Sequence, residues 1–412
     1  MSDRKNNNHK PNCRRVKFGD VVKLSKARSQ DPLSDGFERY VGLEHLKPGD
    51  LRIRSWGNVA DGVTFTNVFR PGQVLFSKRR AYQRKVAVTD FAGVCSSDIY
   101  VLESGDANKL LPQLLPFVCQ TDAFLEYAVG TSAGSLSPRT NWSSLKEFEF
   151  ELFPVEDQHR LVRLLSHAEA AIDSLSSAED AAKSLFTSLA MKLMVPEADS
   201  VRTGWTIRAI RDVCDSRADL IIGPFGSNLV KSDYEGNCSG VPVVFVRDVR
   251  PNFFNYISNC YVGDKKASEL RSHLARPGDV LITKVGVPES MGIPPGLAAV
   301  VPADFPISVI TADVVRVRTN QKIMTPRYLS YLLNTAWGRR ETWRISPGST
   351  TRFKMTLANL SALRIPVPPI EQQNNILSIL DTAWQGCTLL RRRLQQVIEI
   401  KARLLSSLQG MA

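Results

Sequence analysis

The chain has 412 residues, 43% of them hydrophobic and 23% charged, a composition that suits two or three globular domains and excludes a disordered or fibrous class. A net charge of +12 points instead to a polyanionic partner. Seven scattered cysteines include no C-x-x-C pair, and no apolar run reaches the ~18 residues of a membrane span; a reducing cytoplasm is the expected location, with no export and no membrane.

Residues 1–13 read as a disordered tail. Over 14–153, short β-rich runs are broken by Gly, Pro, Asn and Asp, with candidate strands at Val21-Val22, Tyr40–Leu43, Leu51–Ile53, Val74–Phe76, Val86–Val88 and Ile99–Leu102. Lys109 to Ala128 has a helical pattern that Pro112 and Pro116 break into pieces. Residues 154–195 then form one long apolar-periodic segment, followed by a polar linker, 196–204. A second mixed segment, 205–368, carries candidate strands at Val241–Val246, Val280–Ile282, Leu297–Val301 and Val314–Val317, and a helix from Arg327 to Asn334. A second periodic segment, 369–412, ends the chain.

The two periodic segments are copies of each other. Pro154-Val155-Glu156-Asp157-Gln158 returns as Pro369-Ile370-Glu371-Gln372-Gln373, 215 residues later. Proline followed by an acidic residue suits the first turn of a helix. Apolar residues then recur at alternating steps of four and three: Leu161, Leu165, Ala168, Ile172, Leu175, Ala182, Phe186, Leu189 and Leu193. The second set is Ile376, Leu380, Ala383, Cys387, Leu390, Leu394, Val397, Leu404 and Leu408. Such a repeat predicts helices that pack along a partner helix, and at 1.5 Å per residue each rod is about 57 Å long. Glu179 and Lys401 interrupt the seam, once in each copy. Leu164, Leu185, Ile379 and Leu405 are expected to stay exposed.

The globular segments are related as well. RPGQVLFSK (Arg70 to Lys78) meets RPGDVLITK (Arg276 to Lys284) at an offset of 206, each a Pro-Gly turn feeding a buried strand. The predicted fold is α+β: two similar mixed domains, each followed by a long helix, the helices packed as an antiparallel coiled coil in a pseudo-twofold repeat.

Charge marks the working faces. Lys78, Arg79, Arg80, Arg84 and Lys85 cluster around Tyr82, with Arg139, Asn141 and Trp142 in a later turn. From Val314 to Lys354, nine basic residues face one acidic residue, Glu341. Here Arg339, Arg340, Arg344, Arg352 and Lys354, together with Lys284, Thr350 and Thr351, are the candidate nucleic-acid contacts, with Trp337 and Trp343 nearby. A solvated basic surface is the bland alternative for any single residue.

Catalytic patterns are absent. There is no phosphate-binding loop, no glycine fingerprint for a nucleotide cofactor, and no ligand spacing among the five histidines. The pairs Pro294-Pro295 and Pro368-Pro369 lack the neighbours of an amino-methyltransferase site, and Asp264-Lys265-Lys266 reads as a loop.

A β-rich domain closed by a Pro-φ-Glu-x-Gln segment and a long helix, duplicated once, resembles the specificity (S) subunit of type I restriction–modification systems. YVGLEHLKPG, GQVLFSKRRAYQRKVAV and SPRTNW in the first half, and GPFGSNLVKSDY and GVPVVFVRDV in the second, are similar to stretches of such subunits. Phe153-Pro154 departs from the usual Pro-Pro. The resemblance implies a non-catalytic subunit whose two target recognition domains each read half of a split double-stranded DNA sequence. It also implies rods that dock two modification (M) subunits, with restriction (R) subunits in the full complex. No cofactor is expected in this chain; S-adenosylmethionine, ATP and Mg belong to the partner subunits. A fused methyltransferase or nuclease, and a non-specific DNA-binding scaffold, remain alternatives.

Overall fold

The computed structural model describes residues 13–196, 204–235, 240–349 and 352–408. The expected tail up to residue 12, most of the linker, and Thr350 and Thr351 lie outside them. The chain forms two compact units. One holds the described residues up to Ser177 together with those from Arg391; the other runs from Ala178 to Leu390.

In unit one, β1 (Arg14–Lys17), α1 (Phe18–Val21), β2 (Val22–Leu24), β3 (Arg39–Val41), β4 (Gly57–Asn58) and β5 (Asn67–Phe69) lead to β6 (Val74–Ser77) and β7 (Val86–Val88). Then come β8 (Gly93–Cys95), β9 (Ile99–Ser104), α2 (Leu115–Val118), α3 (Asp122–Gly130), β10 (Ser132–Ala133), β11 (Arg139–Thr140), α4 (Trp142–Leu145), β12 (Glu149–Leu152) and α5 (Val155–Met194). One antiparallel sheet has the order β2-β9-β6-β7, a second has β4-β3-β8-β5 with β3 and β8 parallel, and β1 pairs with β12.

Unit two repeats this plan. It contains β13 (Thr206–Ala209), β14 (Leu220–Ile222), β15 (Val241–Val244), the small hairpin β16 (Val249–Arg250) and β17 (Phe253–Phe254), β18 (Tyr261–Val262), α6 (Asp264–Glu269) and β19 (Leu274–Ala275). These are followed by β20 (Val280–Thr283), β21 (Val285–Gly286), β22 (Ala298–Val300), β23 (Ser308–Ile310), β24 (Val314–Val317), α7 (Pro326–Asn334) and α8 (Ala336–Arg344). β25 (Gly348–Ser349), β26 (Arg352–Lys354), α9 (Leu357–Ala362), β27 (Arg364–Val367) and α10 (Ile370–Ser407) complete it. Its sheets run β14-β24-β20-β22 and β18-β15-β23-β19, with β15 and β23 parallel, and β13 pairs with β27. Apart from the hairpin β16–β17 and the strand β21, this is the topology of unit one.

Three expectations need correcting. Leu51–Ile53 is not a strand: the Asp50 carboxylate accepts the Arg52 N–H at 2.9 Å, and only a single bridge from Arg52 to Val88 forms. Val21 closes α1 instead of opening a strand. Asp264-Lys265-Lys266 is the first turn of α6, and Lys266 lies 3.3 Å from Asp233.

The Pro-Gly turns place Gly72 and Gly278 at φ of 85° and 87°, which only glycine adopts freely. Each turn is closed by the next residue: Gln73 Oε1 accepts the Arg70 N–H, and Asp279 Oδ2 accepts the Arg276 N–H, both at 2.8 Å. The same side chains then meet equivalent strand partners. Gln73 donates to Glu103 at 2.8 Å, whereas Arg318 donates two bonds to Asp279, both at 2.8 Å.

Both helix starts are fastened by one buried amide. Gln158 donates to the carbonyls of Lys109 (2.7 Å) and Phe153 (2.8 Å) and accepts the Leu111 N–H at 2.9 Å. Gln373 donates to Ile323 (2.7 Å) and Pro368 (2.8 Å) and accepts the Thr325 N–H at 2.9 Å. Both side chains are fully buried, so each amide satisfies groups that have no water to turn to.

The long helices run antiparallel. In unit one, Leu161, Val162 and Leu165 share a core with Leu404, Leu405 and Leu408; in unit two, Phe186, Leu189 and Ala190 share one with Ile376, Leu377 and Leu380. These cores also contain the sheets and short helices, so each helix packs on its domain as well as on its partner. Leu165 and Leu380 are fully buried, while Ile172, Leu175, Leu390 and Leu394 are half-buried along the same stripe. Leu164, Leu185 and Ile379 are exposed, but Leu405 is drawn into the core of unit one.

The seam also differs between the units at equivalent positions. Lys401 forms an ion pair with Glu169 in unit one. The residues 215 positions away are Phe186 and Trp384, whose ring centroids lie 5.1 Å apart in unit two with their planes tilted by 54°.

Two outcomes follow for stability. Gln158→Ala and Gln373→Ala should each lower the unfolding free energy by about 1–3 kcal/mol for every backbone group orphaned, read as shifts of the denaturant midpoint. Lys401→Phe alone should cost about 3–5 kcal/mol by stranding Glu169. Adding Glu169→Trp, which copies the pair of unit two, should recover most of that loss in the same titration.

Candidate nucleic-acid interface

In unit one, the loop between β6 and β7 carries the basic cluster. Arg80 and Arg84 take left-handed backbone conformations, with φ of 54° and 56°, on either side of the turn Ala81–Gln83. Such conformations are costly for arginine, so the surroundings must hold them. The Arg80 N–H donates to the Pro138 carbonyl (2.7 Å), the Thr140 N–H donates to the Lys78 carbonyl (2.9 Å), and the Ala81 side chain is buried. The loop is thereby stapled to the β10–β11 hairpin. Tyr82 stands out from it at 54% exposed, and Leu136 at the hairpin tip is 91% exposed.

Not all of the positive charge is free. Asp98 accepts two bonds from Arg139 (2.7 and 3.2 Å) and one from Arg79 (3.4 Å). Its carboxyl lies below its ordinary range, first because of the Arg139 hydrogen bond. Arg84 pairs with Asp122, and Lys85 donates to the Leu43 carbonyl at 2.6 Å. The Lys78 ammonium lies 5.0 Å from the Tyr100 ring. Arg79 and Arg80 both donate to Ser137 Oγ, at 3.1 and 3.2 Å, and their buried Nε atoms have no hydrogen-bond partner. Asn141 is exposed at the start of α4. Asp98 and Ser137 thus organise the cluster. Ser137 belongs to the SPRTNW stretch, but no local pattern distinguishes Asp98 from other surface carboxylates.

In unit two, the equivalent hairpin is β25–β26, extended by β21, with Val285 opposite Lys354. Arg352 and Lys354 are exposed on it. Thr335 caps α8 by accepting the Gly338 N–H at 3.1 Å, and α8 presents Arg340 and Arg344 to solvent. Arg344 donates two bonds to Glu341 (3.0 and 2.9 Å), which Arg340 approaches at 3.6 Å. The Trp343 ring packs 4.4 Å from Phe353.

Several cations of unit two are structural. Lys284 is 2% exposed and donates to the Ala312 carbonyl at 2.6 Å, so it is withdrawn from any surface contact; burial, foremost, lowers its pKa. Arg339 is half-buried, donates to the Pro295 carbonyl at 2.8 Å, and is likewise pulled down by burial. Arg316 is buried against backbone carbonyls, including Leu274 at 2.7 Å, while Arg318 serves Asp279 and Arg327 lies 2.6 Å from Asp381. Thr350 and Thr351 fall outside the described residues. Among those residues no group of three or more His, Cys, Asp or Glu could hold a metal ion, and no helix is long and apolar enough to cross a membrane.

Asp98 makes a pH dependence testable. Because its folded pKa is depressed, its contribution to stability is present above the ordinary carboxylate value, ~3.9, and is lost as pH falls through the lower folded value. Asp98→Asn should therefore destabilise the chain at neutral pH and flatten the acid limb of its stability curve, measured by denaturant titration from neutral to acid.

Residues 290–400 match the family model of the type I restriction modification DNA specificity domain, which spans α7, α8, the second hairpin and most of α10. A 170-residue stretch is 29% identical to the type I restriction enzyme EcoDI specificity subunit of Escherichia coli, covering 39% of this chain. The chain spans 35% of the length of that relative. Among solved structures, the type I restriction–modification system S subunit from M. genitalium is similar over 100% of both chains, with a TM-score of 0.60 and 15% identity. A chain from a structure of type I R-M system assembly and conformational transition is similar over 97% of this chain and 98% of its own, with a TM-score of 0.56 and 19% identity. Residues 290–400 are therefore similar to the type I restriction modification DNA specificity domain, and the chain, from end to end, has the fold of the type I specificity subunits.

Proposed function

We propose that this chain is the DNA-recognition subunit of a type I restriction–modification complex, each unit reading one half of a bipartite duplex target. The observation that carries the reading is repetition: one topology occurs twice, and each copy presents exposed cations on its equivalent hairpin, Arg139 on β10–β11 and Arg352 and Lys354 on β25–β26, with further cations on the neighbouring loop or helix. In unit one the readers are Arg80, Tyr82, Asn141 and the partly neutralised Arg79, Arg84 and Arg139. In unit two they are Arg340, Arg344, Arg352 and Lys354. Exposed cations fix register by neutralising phosphates, and those that reach base edges discriminate sequence.

The long helices supply two further roles. They set the number of unread base pairs between the half-sites, and they offer docking surface to two M subunits. The exposed pairs Leu164 and Ile379, and Leu185 and Ile400, support docking: each pair is related by the 215-residue repeat, as two copies of one partner require. Methyl transfer from S-adenosylmethionine and ATP-driven cleavage with Mg belong to the M and R subunits.

Mapping methylated sites genome-wide in a host carrying this chain with its M subunit tests the division of labour. Four residues inserted in helical register between the first long helix and the second domain add about 6 Å. At ~3.4 Å of duplex axis per base pair, the gap should shift by one or two base pairs with both half-sites unchanged. An insertion that changes the bases read while keeping the gap would overturn the reading, as would methylation without sequence preference.

A further inference from the structure

One exposed aromatic side chain in unit two is absorbed neither by the core nor by the charged surface. Gly223-Pro224-Phe225-Gly226 forms a tight loop after β14. A Cβ on Gly223 would lie 2.3 Å from the Ile310 carbonyl oxygen, and Gly226 has a φ of +59°. The loop is thus pressed against the end of β23 and turns sharply where only glycine turns easily. It holds Phe225 at 52% exposed.

The ring has a support. The Lys284 ammonium lies 4.6 Å from its centroid, a cation–π contact made by a lysine that is itself buried and tied to the Ala312 carbonyl. Lys284 therefore holds the ring from beneath and is spent in doing so. The next residue, Val285, pairs with Lys354 of β26, and after burial the Lys354 charge helps to lower the Lys284 pKa, so the exposed Lys354 lies near the ammonium beneath the ring. A cleft of about 460 Å³ adjoins the loop, lined by Pro224, Phe245, Arg247, Ile293 and Asp313 among others. An exposed apolar ring among exposed arginine and lysine fits a polyanion that also offers apolar groups.

We propose that Phe225 is a base-reading residue of unit two, making apolar contact with the C5-methyl of a thymine in the major groove of its half-site. This rests on the DNA-recognition reading above. The geometry favours an edge contact over insertion between base pairs. Insertion needs both faces of the ring, and the ammonium occupies one. Thymine alone among the four bases presents a methyl group in the major groove, so an apolar side chain there carries sequence information that a cation cannot. Charge alone could not reveal this residue, because its contribution is independent of phosphate neutralisation.

The test uses the full chain assembled with its M subunits, and duplexes containing its own methylated site or a scrambled one. Phe225→Ala should weaken binding to the site by roughly tenfold or more while leaving the scrambled duplex and the salt slope unchanged. Lys354→Ala, as a contrast, should weaken both duplexes and lower the salt slope. Replacing one thymine of the unit-two half-site by deoxyuracil removes a single methyl. It should weaken the parent chain roughly fourfold and the Phe225→Ala chain no further. The assignment is overturned by a Phe225→Ala chain that binds the site normally, by one that loses equally on every duplex, or by one that fails only in assembly with M. It is also overturned if the half-site has no thymine, or if 2-aminopurine beside the site brightens on binding the parent but not Phe225→Ala, since that signals insertion. A parent chain that binds site and scrambled duplex alike would instead overturn the DNA-recognition reading itself.

Discussion

A glutamine amide buried at the start of each long helix is the constraint on which the rest depends. Gln158 and Gln373 each satisfy two backbone carbonyls and one backbone N–H of the segment that leads into or lies beside the helix. Few side chains could replace them. A carboxylate has no N–H to give to the two carbonyls, and an aliphatic residue would leave all three groups unpaired in a dry interior. With the amide in place, the first turn of each helix is tied to the domain that precedes it. The direction in which the helix leaves is then set by hydrogen bonds instead of by loop chemistry. Every later contact along the helices inherits that direction.

Around this shared device the two units have diverged in ways that keep geometry and change chemistry. The residue after the Pro-Gly turn always caps the turn and always meets the neighbouring strand, yet Gln73 does so with Glu103 and Asp279 with Arg318. Along the helices, Glu169 and Lys401 stand where Phe186 and Trp384 stand in the other unit. A helix paired with a copy of itself would bring Glu169 against Phe186, stranding a charge. The mixed seam thus favours pairing of the first helix with the second, a selectivity that a uniformly apolar seam would lack.

The basic surfaces show how far net charge can be trusted. Its excess is real, but much of it is spent inside the fold: Arg316 on carbonyls, Arg318 on Asp279, Arg327 on Asp381, Lys284 beneath Phe225. What remains outside is a small set on the two equivalent hairpins and on the loop or helix beside each. In unit one that set is braced by Asp98 and Ser137 and by two arginines in costly left-handed conformations. A rigid, pre-paired surface loses little freedom on binding, which suits selective contact better than loose lysines would.

The sequence by itself determined the duplication, the two long helices and the strands that feed from the Pro-Gly turns. All three are written in spacing along the chain: an offset of 215, a four-three apolar step, and a glycine before a buried run. It also marked the segments that hold the surface cations, because charge density is local. Only the tertiary structure decided which of those cations are free, since Arg139 meets Asp98 and Arg318 meets Asp279 across 41 and 39 residues. It alone demoted Leu51–Ile53 from the sheets, where one Asp50 hydrogen bond outcompeted a ladder, and alone turned the Gly-Pro-Phe-Gly stretch into a ring held on an ammonium. Periodicity reports what a segment can bury. Which partner it meets depends on contacts far away in sequence, and those exist only once the chain has folded.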